Sequence, residues 1–273
     1  MTNDTPPPNS PANNAPAAPG SQPANNAQPN PFVSNIDWYG WAPEGNDGST
    51  GLRLPELMDR LLSDPKNEGR GIFLGENHNE PAMRQSLARL MPKLRLDGVS
   101  TVSIELPQDV IDGIAKGNLA PEKRQWLSDD AYNSMKEVVD AAKRNGIKVI
   151  GHEMPGIIPT DRMYNANERM EILRNLYKER IGTYEGLNER NRFAANYIEE
   201  NRSSGKLVVL GGMLHSGMLL SNEPAIPTAA SQFHTQLGTD VKGYRGLDRL
   251  LGIPSINYHH GTAEDIGMTY RSH

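Results

Sequence analysis

Four runs of Val, Ile and Leu, each breaking off into an acid, an imidazole or a pair of glycines, constrain this chain more than any other feature. They are "GIFLGEN" (71–77), "VSTVSIELP" (99–107), "IKVIGHEMP" (147–155) and "KLVVLGGMLHSG" (206–217). Each core run is too short for a helix and rich in β-branched residues, so each reads as a buried strand. The stretches between them carry helical spacing. Met83, Leu87, Leu90, Met91 and Leu94 recur at three- and four-residue intervals after the first run, with Asn79 and Pro81 read as cap and first turn. "LPELMDRLLS" (54–63) reads as a helix, as does "DAYNSMKEVVDAAKRNG", which Ser128 or Asp129 can cap and Gly146 ends. Residues 161–202 read as two charged helices, and "GIPSINYHH" (252–260) as a late strand. Strands alternating with helices predict one α/β domain, a mostly parallel sheet flanked by helices on both faces. The order of the strands is not readable.

The first 30 residues are built differently. Pro, Asn and Ala dominate, with one charge, Asp4, and no aromatic or large aliphatic residue after Met1. Such a segment buries too little apolar surface to offset the entropy of ordering, so residues 1–30 are expected to be a disordered leader and 31–273 the folded domain. The body then begins near "PFVSNIDWYGW". The leader lacks the basic n-region and apolar h-region of a secretory signal. About 240 residues remain for the body, enough for a sizeable core.

Composition removes several function classes. The net charge is −5 with positive residues interspersed among acids, so no basic stripe is available for nucleic acid. No apolar run is long enough for a membrane span. There is no cysteine, which excludes disulfides, thiolate zinc sites and a cysteine nucleophile. A G-x-S-x-G elbow, H-E-x-x-H, a P-loop and G-x-G-x-x-G are all absent.

What remains is the polar set at the strand ends. The first strand ends in Glu76 and His78, the second in Glu105, the third in His152 and Glu153, the fourth in "GGMLH" with His215. If the strands are parallel, these ends share one edge of the sheet, where open α/β folds bind their ligands. Glu105 stands between Ile104 and Leu106, and an ionised carboxylate there needs a partner, a metal or a proton. A His/Glu set can activate water as base and acid, hold a divalent metal, or ligate haem iron. The sequence by itself requires no cofactor.

"FLGENHNEPAMRQSLARLMPKL", followed by "VSIELP", "ERNRFAANYI" and "VVLGGMLHSG", resembles the erythromycin-esterase/ChaN-like superfamily, which includes the Tiki and TraB proteins. The elements are Gly75-Glu76-Asn77-His78, Glu105, Glu189-Arg190-Asn191 and Gly212-Met213-Leu214-His215, in that order. Together with the leader, the whole is similar to HopBA-type effectors, type III secreted proteins of plant pathogens. The resemblance implies His78 as general base or metal ligand, Glu76 and Glu105 as its orienting carboxylates, and His215 as second imidazole. It implies that Arg190 neutralises a carboxylate or holds an oxyanion. His78, Glu105 and His215 are the metal candidates. Arg84, His152, Glu153 and Glu189 are secondary candidates.

Members of the superfamily include macrolactone esterases, metal-dependent proteases and haem-binding proteins. The expectation is therefore an effector with a hydrolase-type site, delivered by the type III route into a host cell's cytoplasm, acting on a host protein or small molecule and triggering host cell death. The alternatives are a haem- or metal-binding protein without turnover, and a silent effector recognised by host proteins. Specificity is expected from loops such as 107–128 and 217–245, and the helices could support a homodimer.

Overall fold

The computed structural model describes residues 54–65, 70–181, 183–212, 215–216, 246–261 and 266–271. The expected leader, the "PFVSNIDWYGW" start of the body and the 217–245 loop lie outside the described residues. Helix α1 spans Leu54–Ser63 and buries Leu54, Leu57, Met58, Leu61 and Leu62, one stripe at helical spacing. Strand β1 (Gly71–Glu76) follows, then α2 (Ala82–Leu96), β2 (Val99–Ile104), α5 (Asp129–Arg144), β3 (Lys148–Gly151), α7 (Tyr184–Asn201), β4 (Lys206–Gly212) and β5 (Ser255–Gly261). These match the expected elements, with the strands shorter than their apolar runs.

The local differences have local causes. Helix α2 starts after Pro81, which makes no side-chain cap bond. Asn79 instead donates its backbone N–H to Oδ1 of Asn77 at 3.2 Å, in a turn before the helix. Ser128, not Asp129, caps α5 by accepting from the backbone of Ala131 at 3.1 Å. The expected loop 107–128 contains two helices, α3 (Gln108–Lys116) and α4 (Pro121–Arg124). The glycine inside α3 hid it: a Cβ on Gly113 would stand 2.9 Å from Leu119, so close packing requires the residue that weakens the helical signal. The first charged helix, α6 (Ala166–Leu176), begins five residues later than expected, because Asn165 and Glu168 form a capping box. A π-helical turn over Tyr177–Ile181 precedes α7.

The sheet runs β3-β2-β4-β1-β5-β6, with β6 spanning Ile266–Arg271. The first five strands are parallel and β6, which the sequence pattern did not reveal, is antiparallel to β5. Helices cover both faces, and successive side chains of a strand serve alternate cores. Ile72, Leu74, Val208 and Leu210 pack with α1, α2 and α5. Phe73, Leu207 and Val209 pack with α7 and the short helix α8 (Leu247–Leu251) on the other side. No helix among the described residues is long and apolar enough to cross a membrane.

This strand order positions the site. Strand β2 hands on to β3 on one side of the sheet, while β4 hands on to β5 on the other. Neighbours whose connections diverge leave a crevice at their carboxyl ends. The ends of β1, β2, β3 and β4 therefore share one edge.

Candidate active site

Glu105 is the first residue beyond β2, and its side chain is only 8% exposed. Its two oxygens are used separately. Oε1 accepts from Nη2 of Arg190 at 2.6 Å and lies 3.1 Å from Nε2 of His215. Oε2 accepts from the backbone N–H of Gly212 at 2.5 Å and lies 3.6 Å from Nε2 of His78. One carboxylate thus gathers the end of β4, a helix α7 side chain and both imidazoles. Burial pushes the Glu105 pKa up, but the His215 and His78 charges, the His215 hydrogen bond and Arg190 outweigh it and hold the group well below 4.5. Glu105 is an anion throughout the working range.

His78 stands in the turn between β1 and α2 with 53% of its side chain open to solvent. Nδ1 lies 3.0 Å from Oε1 of Glu76, the buried last residue of β1. Among the described residues Nε2 has no direct hydrogen bond, since 3.6 Å to Glu105 is too long for one. Crowding by protein atoms opposes protonation of His78, although half the ring still meets solvent. The Glu105 charge and the Glu76 hydrogen bond prevail and raise its pKa above 6.5. Arg84 is 1% exposed and ties this turn to α2: Nη1 lies 3.4 Å from Oε1 of Glu76, and Nη2 donates to the carbonyls of His78 and Glu80 at 3.1 Å each.

Two adjacent glycines make the approach possible. A Cβ on Gly212 would meet Nε2 of His78 at 2.7 Å, and one on Gly211 would meet Oε2 of Glu105 at 3.1 Å. The "GG" of the fourth run is the bare floor against which two functional side chains rest.

On the α7 side, Arg190 is clamped between two carboxylates. Its Nε donates to Oε1 and Oε2 of Glu153 at 3.2 and 3.1 Å, and Nη2 also bonds Oε2 of Glu153. Both oxygens of Glu153 are engaged, Oε1 also accepting from the Met154 backbone at 2.7 Å. These contacts engage Nε and Nη2 of the guanidinium and fix Glu105 in place. His215 is fixed by its other nitrogen, with Nδ1 2.5 Å from Oδ1 of the fully buried Asn191. His152, 3% exposed, lies with Nδ1 2.8 Å from Oγ of Ser103.

Glu76, His78, Glu105, Arg190 and His215 therefore come together, joined by Arg84, Glu153 and His152. Glu189 does not join them, pairing instead with Arg180 at 3.5 Å with about half its side chain exposed. Asn191, Ser103 and the Gly212 N–H were not among the sequence candidates. Asn191 and Gly212 stood inside quoted motifs, and Ser103 sits two residues before Glu105, on the same face of β2. Among the described residues, no three His, Asp or Glu side chains form a metal-ligand group. The histidines address different oxygens of Glu105, and the Arg190 cation beside that carboxylate disfavours a dication. A surface concavity lined by Met170, Arg174 and Lys178, among others on α6 and the turn after it, shares no residue with the cluster.

No family model matches the chain, and no curated protein matches it. Several solved structures are similar in outline, three of which follow. The type III effector HopBA1 is 14% identical with a TM-score of 0.40, over 57% of this chain and 72% of that one. The C-terminal region of Pasteurella multocida toxin, described as having a thiol-protease-like catalytic triad, is 14% identical with a TM-score of 0.41. The third, RRSP, a MARTX toxin effector domain from Vibrio vulnificus CMCP6, is 15% identical with a TM-score of 0.42. Those two likenesses cover 81% and 88% of this chain but only 26% and 43% of the toxin chains.

Proposed function

We propose that this chain is a hydrolase of carboxylic esters or amides that acts as a bacterial effector inside a host cell, reached by the type III route. The observation that carries the hydrolase reading is the convergence of His78 and His215 on the single carboxylate of Glu105. In this reading His78 is the general base. Glu76 at Nδ1 orients the ring and stabilises the imidazolium, while Nε2 takes a proton from water. The water oxygen bonds to the carbonyl carbon, and the carbonyl π pair moves onto its oxygen. When the tetrahedral adduct collapses, the bond to the leaving group breaks and the His78 proton passes to it. Glu105, held by Arg190 and the Gly212 N–H, anchors His215 at 3.1 Å and sets its negative charge 3.6 Å from Nε2 of His78. Delivery into a host, with host cell death as the outcome, rests on the Pro/Asn/Ala-rich first 30 residues and the ordered sequence motifs.

The test is turnover of p-nitrophenyl acetate by the purified full chain, beside expression of the same chains in host cells. His78→Ala is expected to keep its fold, lose about 10²–10⁴ in rate and lose the cellular effect. Equal rates for wild type and His78→Ala would end the assignment. A cellular effect that survives in folded His78→Ala would make the fold a recognition surface instead.

A further inference from the structure

His152 is a buried imidazole that the reaction above leaves unused. It follows β3 directly, and the register Ser103↔Ile150 sets β2 and β3 side by side. Ile150 packs into the α7-side core, so His152, two residues on, belongs to that same face, as do Ser103 and Glu105. Arg190 and Asn191 reach Glu105 and His215 from α7. His152 therefore sits among the site's own groups, and the charges of Glu105, His215 and Arg190 all act on it.

Its two nitrogens are treated differently. Nδ1 is 2.8 Å from Oγ of Ser103, which is fully buried. Among the described residues nothing hydrogen-bonds Nε2. If the Ser103 hydroxyl donates to Nδ1, the ring's one proton resides on Nε2, leaving an N–H donor with no acceptor among those residues. Burial, ahead of the surrounding charges, pushes the His152 pKa down to about 3, so the ring is neutral whenever His78 can act.

We propose that His152 is a third imidazole of the site, a neutral one, whose Nε2–H donates to the substrate's carbonyl oxygen and stabilises the oxyanion formed as water adds. This rests on the hydrolase reading and supplies the oxyanion donor that the steps above leave unnamed. A neutral donor suits this role because it is fixed before reaction, stays protonated through it, and strengthens its hydrogen bond as negative charge develops. No proton leaves His152 in the step. His78 takes the proton of water and returns it to the leaving group, so the acid–base cycle closes without His152.

Two measurements on the full chain decide the matter. In long-range ¹H–¹⁵N spectra of labelled protein, the His152 ring, assigned by its loss in His152→Gln, is expected to carry its proton on Nε2. That pattern should persist from about pH 8 to about pH 5, while His78 titrates in the same spectra. A proton on Nδ1, or titration in that range, overturns the proposal. In turnover of p-nitrophenyl acetate, His152→Phe is expected to lower kcat by about 10²–10³ with KM little changed. His152→Gln, which places an amide N–H near the position of Nε2, should recover most of it. His152→Asn keeps the Ser103 partner but not the far donor and should not. Equal kcat in folded His152→Phe and wild type rejects the role, as does equal loss in the Phe and Gln variants. Wild type without turnover would remove the hydrolase reading and this role together, whereas turnover with the proton on Nδ1 removes this role alone.

Discussion

Arg190 chelates Glu153 from beneath the site, its Nε 3.2 and 3.1 Å from the two carboxylate oxygens, while its Nη2 holds Glu105 at 2.6 Å. The guanidinium is 7% exposed, so this is a buried acid–base–acid triad. Removing the central cation leaves the buried Glu153 without its counter-charge and Glu105 with the imidazoles alone, and removing Glu153 along with it relieves the first of these. Arg190→Met is therefore expected to cost about 3–5 kcal/mol in denaturant unfolding. Arg190→Met combined with Glu153→Leu should be milder than Arg190→Met alone. A single variant as stable as wild type would show that the triad contributes nothing to the fold.

Gly212 tests the floor of the site. The Cβ of Gly212→Ala would meet Nε2 of His78 at 2.7 Å, and the half-exposed ring has room to swing away. The fold should survive with His78 displaced, lowering turnover about 10²-fold. Near-UV circular dichroism and kcat on the same sample check this. Undiminished turnover would mean that the observed His78 position is not the working one.

His78 sets the pH dependence of turnover. Its pKa is raised above 6.5, so the base form, and with it the rate, should appear as pH rises through that elevated value. Glu76→Gln replaces an anionic acceptor at Nδ1 by a neutral one and should move the midpoint of this limb down. A pH–rate profile of the two proteins reads the shift. An unchanged midpoint would deny Glu76 its role. For stability the same group works in the opposite sense: its contribution is present below 6.5 and is lost as pH rises through the folded value.

His152 makes the fold acid-sensitive. Its folded pKa, about 3, lies below its ordinary 6.5, so the unfolded chain binds the proton first as pH falls. Stability is therefore expected to decline from pH 6.5 toward 3, on the order of a few kcal/mol at about 1.4 kcal/mol per pH unit. Glu105 adds a separate loss below 4.5, its stabilising contribution fading as pH falls through its depressed folded value. His152→Asn, which can keep a partner for Ser103, should level the Tm–pH curve between 6.5 and 4.5 and leave a shallower fall, due to Glu105, below that. Parallel curves for variant and wild type in that window would refute the assignment.

The sequence by itself determined the units of the fold and the places where polar groups interrupt them. The apolar runs at 71–77, 99–107, 147–155 and 206–217 became β1 to β4, because strands covered on both faces are nearly continuous in apolar residues. Glu76, His78, Glu105, His152, Glu153 and His215 were legible for the same reason: polar residues that end an apolar run stand out from it. Helix α3 was not legible, since Gly113 lowers its helical signal to allow contact with Leu119. Pairing within the site was decided by the tertiary structure alone. Arg190 meets Glu105 across 85 positions and the Gly212 N–H meets it across 107, distances over which local pattern carries no information. The strand order, with β4 inserted between β1 and β2, is what sets Glu105 between His78 and His215. That order rests on pairings between strands more than a hundred positions apart, such as β2 with β4, which no single segment encodes.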